Sequence, residues 1–580
     1  MGVTSKEDMK VTRRDLLVWS AGAAAGLLVT PVPWKVLDDV SIWSQNWPWI
    51  PQPARGPIEV KESFCTLCPN GCGLRVRMAA GWPVAVAGAS KNPITRGALC
   101  PLAFGAHQLN WHPRRLKDVR HRGTVSSWPE AQAALAKASK EGPVVVIDGY
   151  PGRAASFMLE QFAAKHGSSY QVVLGAESRG LRPYEIWTGV RASSLGYDLE
   201  NAKTIVSFGA PLLDGWGVPG RFTRLWAEHA VGTDDPQLRL IQIESTLSRT
   251  AARAWEWISI REGSESALAA GLARVLIEQK LVPARGPIPA VTVFDAAAKS
   301  GVSVDQIQEL ARTIAASRPA LAISSDENPS IAALNLVLGS VGTRGGVVRR
   351  AKNDRYPVPA KARYPMSRKD GETWGTPTIS GARAVLIDAS VPWDFVPQTD
   401  AEIFRFAAWD GASSMADWLL PAPGFLEDLT DVPSAPCAAV ESYALAPALV
   451  KPTADVRSAA QVLASIDSSL PSVDKIIQDR CTEIFRLGTG TLHGHESTPV
   501  AQIASAEKLE EQLRNGDVWI AEPATPSVLR CELKEWPSET NPASQAENWA
   551  ARWPVPILPP LASKLYSESS LREAPAGRRS

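Results

Sequence analysis

Four of the seven cysteines of this 580-residue chain lie close together near its N-terminus. Cys65, Cys68 and Cys72 belong to the segment CTLCPNGC, and Cys100 follows after 27 intervening residues. Thiolates are the ligands that iron–sulfur clusters require, and three on one tight loop with a fourth from a later segment can enclose a [4Fe-4S] cubane. The Pro, Asn and Gly residues of the loop let the backbone bend around such a cluster. The spacing therefore indicates a metal site.

Two other uses of these cysteines remain open from the residues alone. Four thiolates also form a tetrahedral zinc site, although zinc ribbons usually show two C-x2-C pairs and the second half here has a single cysteine. Two disulfides are the structural alternative if the protein is exported. The remaining cysteines, Cys437, Cys481 and Cys531, are scattered and are predicted to be buried or free thiols. The absence of a C-x-x-C-H motif excludes covalent c-type haem on this chain.

The composition describes a globular protein of several domains. Apolar residues make up 45% of the chain and charged residues 21%, and the length exceeds what one core can serve. Lys and Arg number 61 against 60 for Asp and Glu, so no net field favours nucleic acid. The chain contains 21 tryptophans and 8 tyrosines. Many of these tryptophans are expected in the core, and tryptophan is also enriched at partner interfaces and at membrane boundaries.

The N-terminus carries a twin arginine, Arg13 and Arg14, followed by a weakly apolar run from Leu16 to about Val32. The run is too short and too rich in Ala and Gly to predict a membrane span with certainty. It is typical of a twin-arginine export signal, which we place at residues 1–33. An ordinary basic N-terminus before a buried helix is the alternative. No clear A-x-A cleavage site follows, so an uncleaved signal acting as an anchor remains open.

A tryptophan-rich arm is predicted at residues 34–60, with Trp34, Trp43, Trp47 and Trp49. Such a stretch suits contact with a membrane subunit or with the lipid interface. An extended arm packed on its own protein is the alternative.

Short apolar runs bounded by turn residues recur in the middle of the chain, at 144–148, 170–174, 204–209 and 238–243. Helical patterns lie between some of them; in residues 264–279 a leucine recurs every four positions. Alternating strands and helices predict an α/β fold of doubly wound parallel sheets. The runs at 320–325, 384–389 and 402–410 suggest a second series of such units. Beyond residue 430 the patterning weakens, and we predict a shortened C-terminal domain at 436–560 and a disordered tail at 561–580.

The cysteine motif, with NPITRGALCP, resembles the small N-terminal [4Fe-4S] domain of the molybdopterin (Mo/W-bisPGD) oxidoreductases, here residues 61–125. HPRRLKDVRHRG and WPEAQAAL continue the likeness, and later motifs follow in the family's order: TIVSFGAPLLDGW, IQIESTLSRTAARAWEWISIREGSESALAAGLARVL, LNLVLGSVGTRGG and ADWLLPAPGFLEDLTDV. The resemblance covers roughly residues 60–430. It implies molybdopterin-oxidoreductase-like α/β domains at 126–435 and one [4Fe-4S] cluster held by Cys65, Cys68, Cys72 and Cys100.

The resemblance also implies where pterin nucleotides would lie, namely at the loops 209–216, 244–249 and 388–394. Such loops are equally well explained as plain strand–helix connections.

Three departures from the family make a bound molybdopterin doubtful. Leu102 stands two residues after the fourth cysteine, where active members usually carry Lys or sometimes Arg. No cysteine occurs between Cys100 and Cys437 to bind the metal, and Ser178 is the replacement we would consider first. The stretch after Asp431 is too short for the family's C-terminal β-barrel.

One branch of the family resembles this chain most in its length, its Trp-rich region and the departures just described at the pterin site. This branch comprises the molybdopterin-binding-like subunits of periplasmic menaquinone reductase complexes. The same fold serves alternative complex III. This resemblance implies an electron-transfer subunit without its own catalytic centre, exported by the twin-arginine pathway to the periplasm, where it would be associated with the cytoplasmic membrane. The implied partners are a multihaem cytochrome c subunit, an iron–sulfur subunit and an integral membrane quinone-binding subunit.

Two alternative functions stay open. One is a catalytic Mo/W-bisPGD subunit of the formate dehydrogenase or polysulfide reductase type, and the other is a purely structural scaffold subunit without a cluster. The histidines of LHGHES, His493 and His495, are interpreted as solvated loop residues, and the sequence order reveals no Ser-His-Asp or paired-carboxylate site.

Overall fold

The computed structural model describes residues 11–29, 57–173, 176–213, 215–217, 219–230, 237–283, 286–324, 327–350, 379, 381–391, 397, 399–410, 416–435, 437–521, 529, 531 and 533–537. The predicted Trp-rich arm lies outside the described residues except for its last four, 57–60. Most of residues 522–560 and the whole predicted tail at 561–580 also lie outside them.

The strands of the described chain are β1 (Ile58–Phe64), β2 (Gly73–Ala79), β3 (Trp82–Gly88), β4 (Arg120–His121), β5 (Thr124–Val125), β6 (Val144–Asp148), β7 (Ser169–Val172), β8 (Leu195–Tyr197), β9 (Thr204–Phe208), β10 (Arg239–Glu244), β11 (Glu256–Ser259), β12 (Ala320–Ser324), β13 (Val347–Arg349), β14 (Ala384–Ile387), β15 (Glu402–Ala407), β16 (Trp418–Pro421), β17 (Thr430–Pro433), β18 (Ser442–Ala446), β19 (Thr491–His493), β20 (Ser497–Pro499) and β21 (Val518–Ile520).

The α-helices are α1 (Arg13–Val29), α2 (Pro101–Gly105), α3 (Trp128–Glu141), α4 (Ala154–Lys165), α5 (Ala176–Arg179), α6 (Arg182–Thr188), α7 (Pro219–His229), α8 (Glu265–Glu278), α9 (Val293–Ser300), α10 (Val304–Ala316), α11 (Pro329–Leu338), α12 (Ala459–Ile466), α13 (Val473–Leu487) and α14 (Ala506–Arg514). Several begin with a reciprocal capping box, for example Ser127 with Glu130 at α3 and Ser303 with Gln306 at α10. These pairs satisfy backbone amides that the first turn leaves free.

The described residues within 1–59 and 78–82 form one compact unit, and those within 60–77 and 83–580 form the other. In the first unit, α1 covers most of the segment predicted as an export signal. The Thr12 amide donates to the Asp15 carboxylate at 3.0 Å, and the Asp15 amide donates to the Thr12 hydroxyl at 3.2 Å. This reciprocal pair starts the helix directly at the twin arginine. Among the described helices, none combines the length and the apolar character that a membrane crossing requires.

The first large sheet has the strand order β5-β4-β16-β15-β14-β6-β7. Its strands β16, β15, β14, β6 and β7 are parallel, while β4 and β5 extend the edge in antiparallel pairing. Along β6, Val144 and Val146 belong to one hydrophobic cluster and Val145 and Ile147 to another. Since successive side chains point to opposite faces, both faces of the sheet are covered. The predicted doubly wound parallel sheet is confirmed.

The second sheet has the order β11-β10-β9-β12, and all of its strands are parallel. Here Val206 and Phe208 pack on one face of β9, with helices α8 to α11, while Ile205 packs on the other. The sequence suggested that 320–325, 384–389 and 402–410 form one later series of units, and this grouping is wrong. Strand β12 pairs with β9, whereas β14 pairs with β6. The second α/β domain is therefore inserted between two halves of the first.

The C-terminal domain is built on an antiparallel sheet with the order β17-β18-β21-β19-β20. Its strands are three to five residues long, which explains why the sequence pattern weakens there. One apolar cluster joins this sheet to the end of β1, with Phe64 packed among Val432, Ala444 and Val518. Since Phe64 directly precedes Cys65, this cluster fixes the start of the cysteine loop.

The link between the first sheet and the C-terminal sheet contains an aspartate whose ionisation opposes folding. Burial raises the pKa of Asp428 from 3.8 to about 6. The folded protein thus holds this proton more tightly than the unfolded chain, and its stability is expected to fall as pH rises from 4 to 6. Asp428→Asn removes this ionisation. Between pH 4 and pH 6, the free energy of unfolding of the variant, measured by urea denaturation, should therefore rise by about 2 kcal/mol relative to that of the wild type.

The matched control for this substitution is Asp305→Asn on the exposed surface of α10. The difference in free energy of unfolding between this variant and the wild type should not show the rise expected for Asp428→Asn between pH 4 and pH 6. A difference between Asp428→Asn and wild type that is constant from pH 4 to 7 would contradict the assignment.

Candidate metal centre and the neighbouring crevice

The CTLCPNGC loop is closed by its own backbone. The amide of Cys65 donates to the carbonyl of Cys72 at 2.8 Å. Between them Gly71 adopts a positive φ of 57°, and a Cβ at this position would lie 2.3 Å from Cγ1 of Val432. A larger residue would therefore be strained and would also push the loop off strand β17. The glycine of the motif is required by both backbone conformation and packing.

A turn organised by Asn92 delivers the fourth cysteine. Its side-chain oxygen accepts hydrogen bonds from the amides of Ile94 and Thr95, both at 3.0 Å. The side chain thus folds the NPIT segment back on itself, as asparagine commonly does in turns. Nearby, a Cβ on Gly88 would lie 2.0 Å from the carbonyl oxygen of Gly97, so the two glycines allow close backbone contact.

Cys100 lies at the N-cap position of α2. The backbone amides of Leu102 and Ala103 donate to its sulfur and oppose the rise that burial causes in its pKa. Amide donors of this kind stabilise a thiolate. Leu102 itself is half-buried and uncharged, so it contributes its backbone amide to the site and no cation.

The four predicted ligands are brought together. Cys65, Cys68 and Cys72 are 3%, 8% and 5% exposed, Cys100 is half-buried, and none of the four is part of a disulfide. Burial raises the pKa of Cys65 well above its usual value, and the three other cysteines raise it further. Four thiolates that repel one another in a buried place require a positively charged core, which a metal centre supplies. The donor set therefore fits an iron–sulfur cluster.

Within the described ranges, no group of three or more His, Cys, Asp or Glu is arranged to hold a single metal ion. Of the remaining cysteines, Cys437 and Cys481 are buried, Cys531 is half-buried, and none of the three is part of a disulfide. Ser178 lies on the short helix α5 and is half-buried. His495 is exposed, and its Nδ1 lies 2.5 Å from Nζ of Lys91.

Beside the cysteine loop lies the crevice where the first sheet changes direction. From β6 the chain continues outward to β7, while β14 pairs on the opposite side, so the carboxyl ends of β6 and β14 form the topological switch point at which α/β proteins bind ligands. Asp148 ends β6 and Asp388 follows β14. Arg153 lies between them, with its Nη2 2.8 Å from a carboxylate oxygen of each. The crevice is thus occupied by a buried ion triad of the protein itself.

The triad is held from several directions. Ser390 donates its hydroxyl to Asp148 at 2.8 Å, and the hydroxyls of Ser156 and Tyr170 donate to the other oxygen of Asp148 at 2.5 and 2.8 Å. Despite its burial, the pKa of Asp148 is lowered, because Arg153 and these hydrogen bonds favour the carboxylate. The pKa of Arg153 is raised by Asp388 and Asp148, against the effect of burial. Asp148 and Arg153 therefore stay charged at neutral pH.

The N-terminus of α4, beside this crevice, already holds an anion. Both carboxylate oxygens of Asp431 accept from the amide of Ala154, at 2.8 and 3.0 Å. Arg480 pairs with Asp431 at 2.5 Å, and the two side chains are 0% and 2% exposed. Helix N-termini are common phosphate sites, and here a carboxylate of the same chain takes that position. The residues at this edge of the first sheet do not fit a pterin nucleotide.

Most of these crevice residues were not predicted from the sequence; Asp388 and Ser390 fall in the loop 388–394 that the resemblance placed beside a pterin nucleotide. Arg153 and Arg480 carry no motif, and Asp431 was named only as the point after which the chain is too short for a β-barrel. One signal was available, since an aspartate at a strand end followed by GYPGR marks the loop that opens a helix at a sheet's carboxyl edge. The distant members of the network are harder to predict, because Asp388, which pairs with Arg153 of this loop, lies 235 residues further along the chain.

Comparison with known proteins agrees with the fold and the cysteine site. The model of the molybdopterin oxidoreductase Fe4S4 domain matches residues 58–108, which include all four cysteines. The chain is 31% identical over 510 residues to the menaquinone reductase, molybdopterin-binding-like subunit, of Nitratidesulfovibrio vulgaris, covering 80% of this chain and 72% of that protein. It is 21% identical to the thiosulfate reductase molybdopterin-containing subunit of Salmonella typhimurium, covering 52% of this chain and 44% of that one.

A solved structure shares the fold. Acetylene hydratase from Pelobacter acetylenicus superposes with a TM-score of 0.58 at 13% identity, over 80% of this chain and 74% of that chain. At this identity the likeness concerns the fold alone.

The Asp431–Arg480 pair provides a test of the crevice. Asp431→Asn leaves Arg480 charged and buried, and removing one partner of such a pair typically costs about 3–5 kcal/mol. Urea denaturation at pH 7 should show a loss of that size. The control is Asp479→Asn, which breaks the Lys475–Asp479 pair whose side chains are 60% and 57% exposed; it should cost less than about 1 kcal/mol. Equal effects of the two substitutions would show that the buried pair does not stabilise the fold.

Proposed function

Because this chain belongs to the molybdopterin oxidoreductase family, we propose that it is an electron-transfer subunit of a membrane-associated respiratory complex. In this proposal the complex reduces menaquinone with electrons from a periplasmic cytochrome c, and the chain works without a functional molybdenum site. The name of the relative at 31% identity supports the menaquinone-reducing complex, since that protein is a menaquinone reductase subunit described as molybdopterin-binding-like.

The proposed electron carrier is one [4Fe-4S] cluster with Cys65, Cys68, Cys72 and Cys100 as its ligands. Such a cluster supplies reversible one-electron transfer. The protein's part is to bury three of the four ligands, to direct the amides after Cys100 at its sulfur, and to exclude water from the inner side of the loop. The cysteine loop and the Asn92 turn together perform these tasks.

The single observation that carries the proposal is the filled switch point next to the cysteine loop. In a catalytic member this edge of the first sheet would be available to the nucleotide of a pterin. Here Arg153 bridges Asp148 and Asp388. Opening the crevice would separate a buried cation from two carboxylates, which costs several kcal/mol. This supports a chain whose cluster serves other subunits.

The outer side of the site suits contact with such subunits. Cys100 is the ligand that is only half-buried, and α2, which follows it, carries Phe104 with 49% of its surface exposed; the adjacent 3₁₀ turn carries Trp111 with 45% exposed. Exposed aromatic side chains are typical of interaction surfaces. The proposed partners remain a multihaem cytochrome c subunit, an iron–sulfur subunit and an integral membrane quinone-binding subunit. Export by the twin-arginine pathway and attachment at the periplasmic side of the cytoplasmic membrane are part of the same proposal.

A catalytic function is the second candidate, because other relatives, such as the thiosulfate reductase subunit, are described as molybdopterin-containing. That protein is matched over 44% of its length, so its similarity is weaker support for a catalytic function than the 31% identical relative is for an electron-transfer subunit. A scaffold without a cluster is the third candidate, and a zinc site would also leave the chain without redox activity.

Metal analysis of the purified protein separates these functions. We expect about four iron atoms per chain with matching sulfide, and molybdenum and tungsten far below one per chain. Low-temperature EPR of the reduced protein should show a [4Fe-4S] signal. One Mo or W per chain would favour the catalytic reading, one zinc would favour a structural metal site, and the absence of metal would favour the scaffold.

The ligand assignment has its own test. Cys100→Ser should lower the iron content and weaken or alter the EPR signal, because one thiolate is lost from the cluster. The control is Cys481→Ser, which changes a buried free thiol on α13 and should leave iron and EPR unchanged. An unchanged cluster in Cys100→Ser would exclude Cys100 as a ligand.

A further inference from the structure

Tyr150 lies between the cysteine loop and the filled crevice. Its side chain is 3% exposed. A Cβ placed on Gly71, inside the cysteine loop, would lie 3.6 Å from its hydroxyl oxygen. The charges of Cys68 and Cys65 both influence this hydroxyl. The phenol therefore reaches the inner face of the loop whose thiols are the proposed ligands.

The tyrosine is held firmly at its other end. Its amide donates to the Asp148 carboxylate at 2.8 Å, and its carbonyl accepts from Nε of Arg153 at 2.9 Å. The guanidinium carbon of Arg153 also lies 5.3 Å from the centre of the tyrosine ring. Because Asp148 and Arg153 belong to the buried triad, the ring has little freedom to turn away from the loop.

The hydroxyl has no hydrogen-bond partner among the described protein atoms. The charge of Asp431 influences this hydroxyl, but that carboxylate already accepts from Ala154, Arg480 and Tyr443. A buried hydroxyl without a partner costs about 1–3 kcal/mol, so it calls for an acceptor that the protein atoms do not provide. Of the other charged groups that influence it, Arg153 can only donate, and the remaining two are Cys68 and Cys65 of the cysteine loop.

We propose that Tyr150 donates a hydrogen bond from its hydroxyl to a sulfur atom of the [4Fe-4S] cluster, either a thiolate or a sulfide, and thereby raises the reduction potential of the cluster. This inference rests on the proposed function, since it requires the cluster. A donated hydrogen bond stabilises the more negative, reduced state more than the oxidised state, and hydrogen bonds to sulfur are among the factors that set cluster potentials. Tyr150 thus adjusts the reduction potential of the cluster, and its backbone hydrogen bonds with Asp148 and Arg153 connect it to the crevice.

Redox titration followed by EPR tests the proposal with Tyr150→Phe, which keeps the ring and its packing. Iron content should stay at the wild-type value. At a fixed potential the ratio of reduced to oxidised cluster should fall by about three- to tenfold, which corresponds to the net contribution of one ordinary hydrogen bond. A tenfold change corresponds to 59 mV for a one-electron couple. Pulsed EPR of the reduced cluster should lose one exchangeable proton coupling.

The matched control is Tyr184→Phe. This tyrosine is 1% exposed and its hydroxyl is hydrogen-bonded to Asn335 at 2.8 Å, in the second α/β domain. The control should leave the potential and the proton couplings of the cluster unchanged. If Tyr150 served only in packing, Tyr150→Phe would likewise leave both the reduction potential and the proton couplings of the cluster unchanged.

The outcomes for the two proposals are distinct. A wild-type protein without iron would overturn the proposed function and this inference together. A cluster that is present in Tyr150→Phe with wild-type potential and proton couplings would overturn the inference alone. Should Tyr150→Phe fail to fold, incorporation of 3-fluorotyrosine decides the matter, because the more acidic phenol donates more strongly and should raise the potential; no shift would again overturn the inference.

Discussion

The structure around the candidate site depends on one buried carboxylate, Asp431. It caps helix α4 through Ala154, pairs with Arg480 of α13, and lies on the short strand β17, whose next residue, Val432, packs against Gly71 of the cysteine loop. The first α/β domain, the C-terminal domain and the loop therefore meet at this strand. An uncompensated charge in such a place would be costly, so each of these elements constrains the others.

This arrangement also sets the electrostatic character of the crevice. Within the described part of the chain, the aspartates Asp148, Asp388 and Asp431 pair with two guanidinium groups, those of Arg153 and Arg480, so the aspartates outnumber the arginines by one. A nucleotide pyrophosphate is attracted to free amides at a helix N-terminus and to cations, whereas here the amide of α4 is already satisfied and both arginines are paired. The same contacts that stabilise the junction thus make it a poor site for a second anion.

Much of the fold was predictable from local patterns, because a fully buried parallel strand appears as an unbroken apolar run. Residues 144–148 and 204–209 are strands within one residue of the prediction, and residues 264–279 form the predicted helix. The insertion of one α/β domain into the other was not predictable, since β12 and β14 have similar sequences of apolar residues and only long-range pairing assigns them to different sheets. Likewise, the cysteine spacing indicated its site directly, whereas Arg153 and Arg480 acquire their meaning from partners far along the chain.

The two sides of the cysteine site differ in a way that bears on the path of electrons. On the inner side lie Tyr150 and the ion triad, which are buried and fixed, and the crevice beyond them is filled. On the outer side lies Cys100, half-buried, with Phe104 exposed on the adjoining helix. Electron exchange requires close approach of the donor and acceptor, and among the described residues the exposed aromatic side chains lie beside Cys100. Under the proposed function, the cluster would therefore exchange electrons with partner subunits at that face, while the inner side would set its potential.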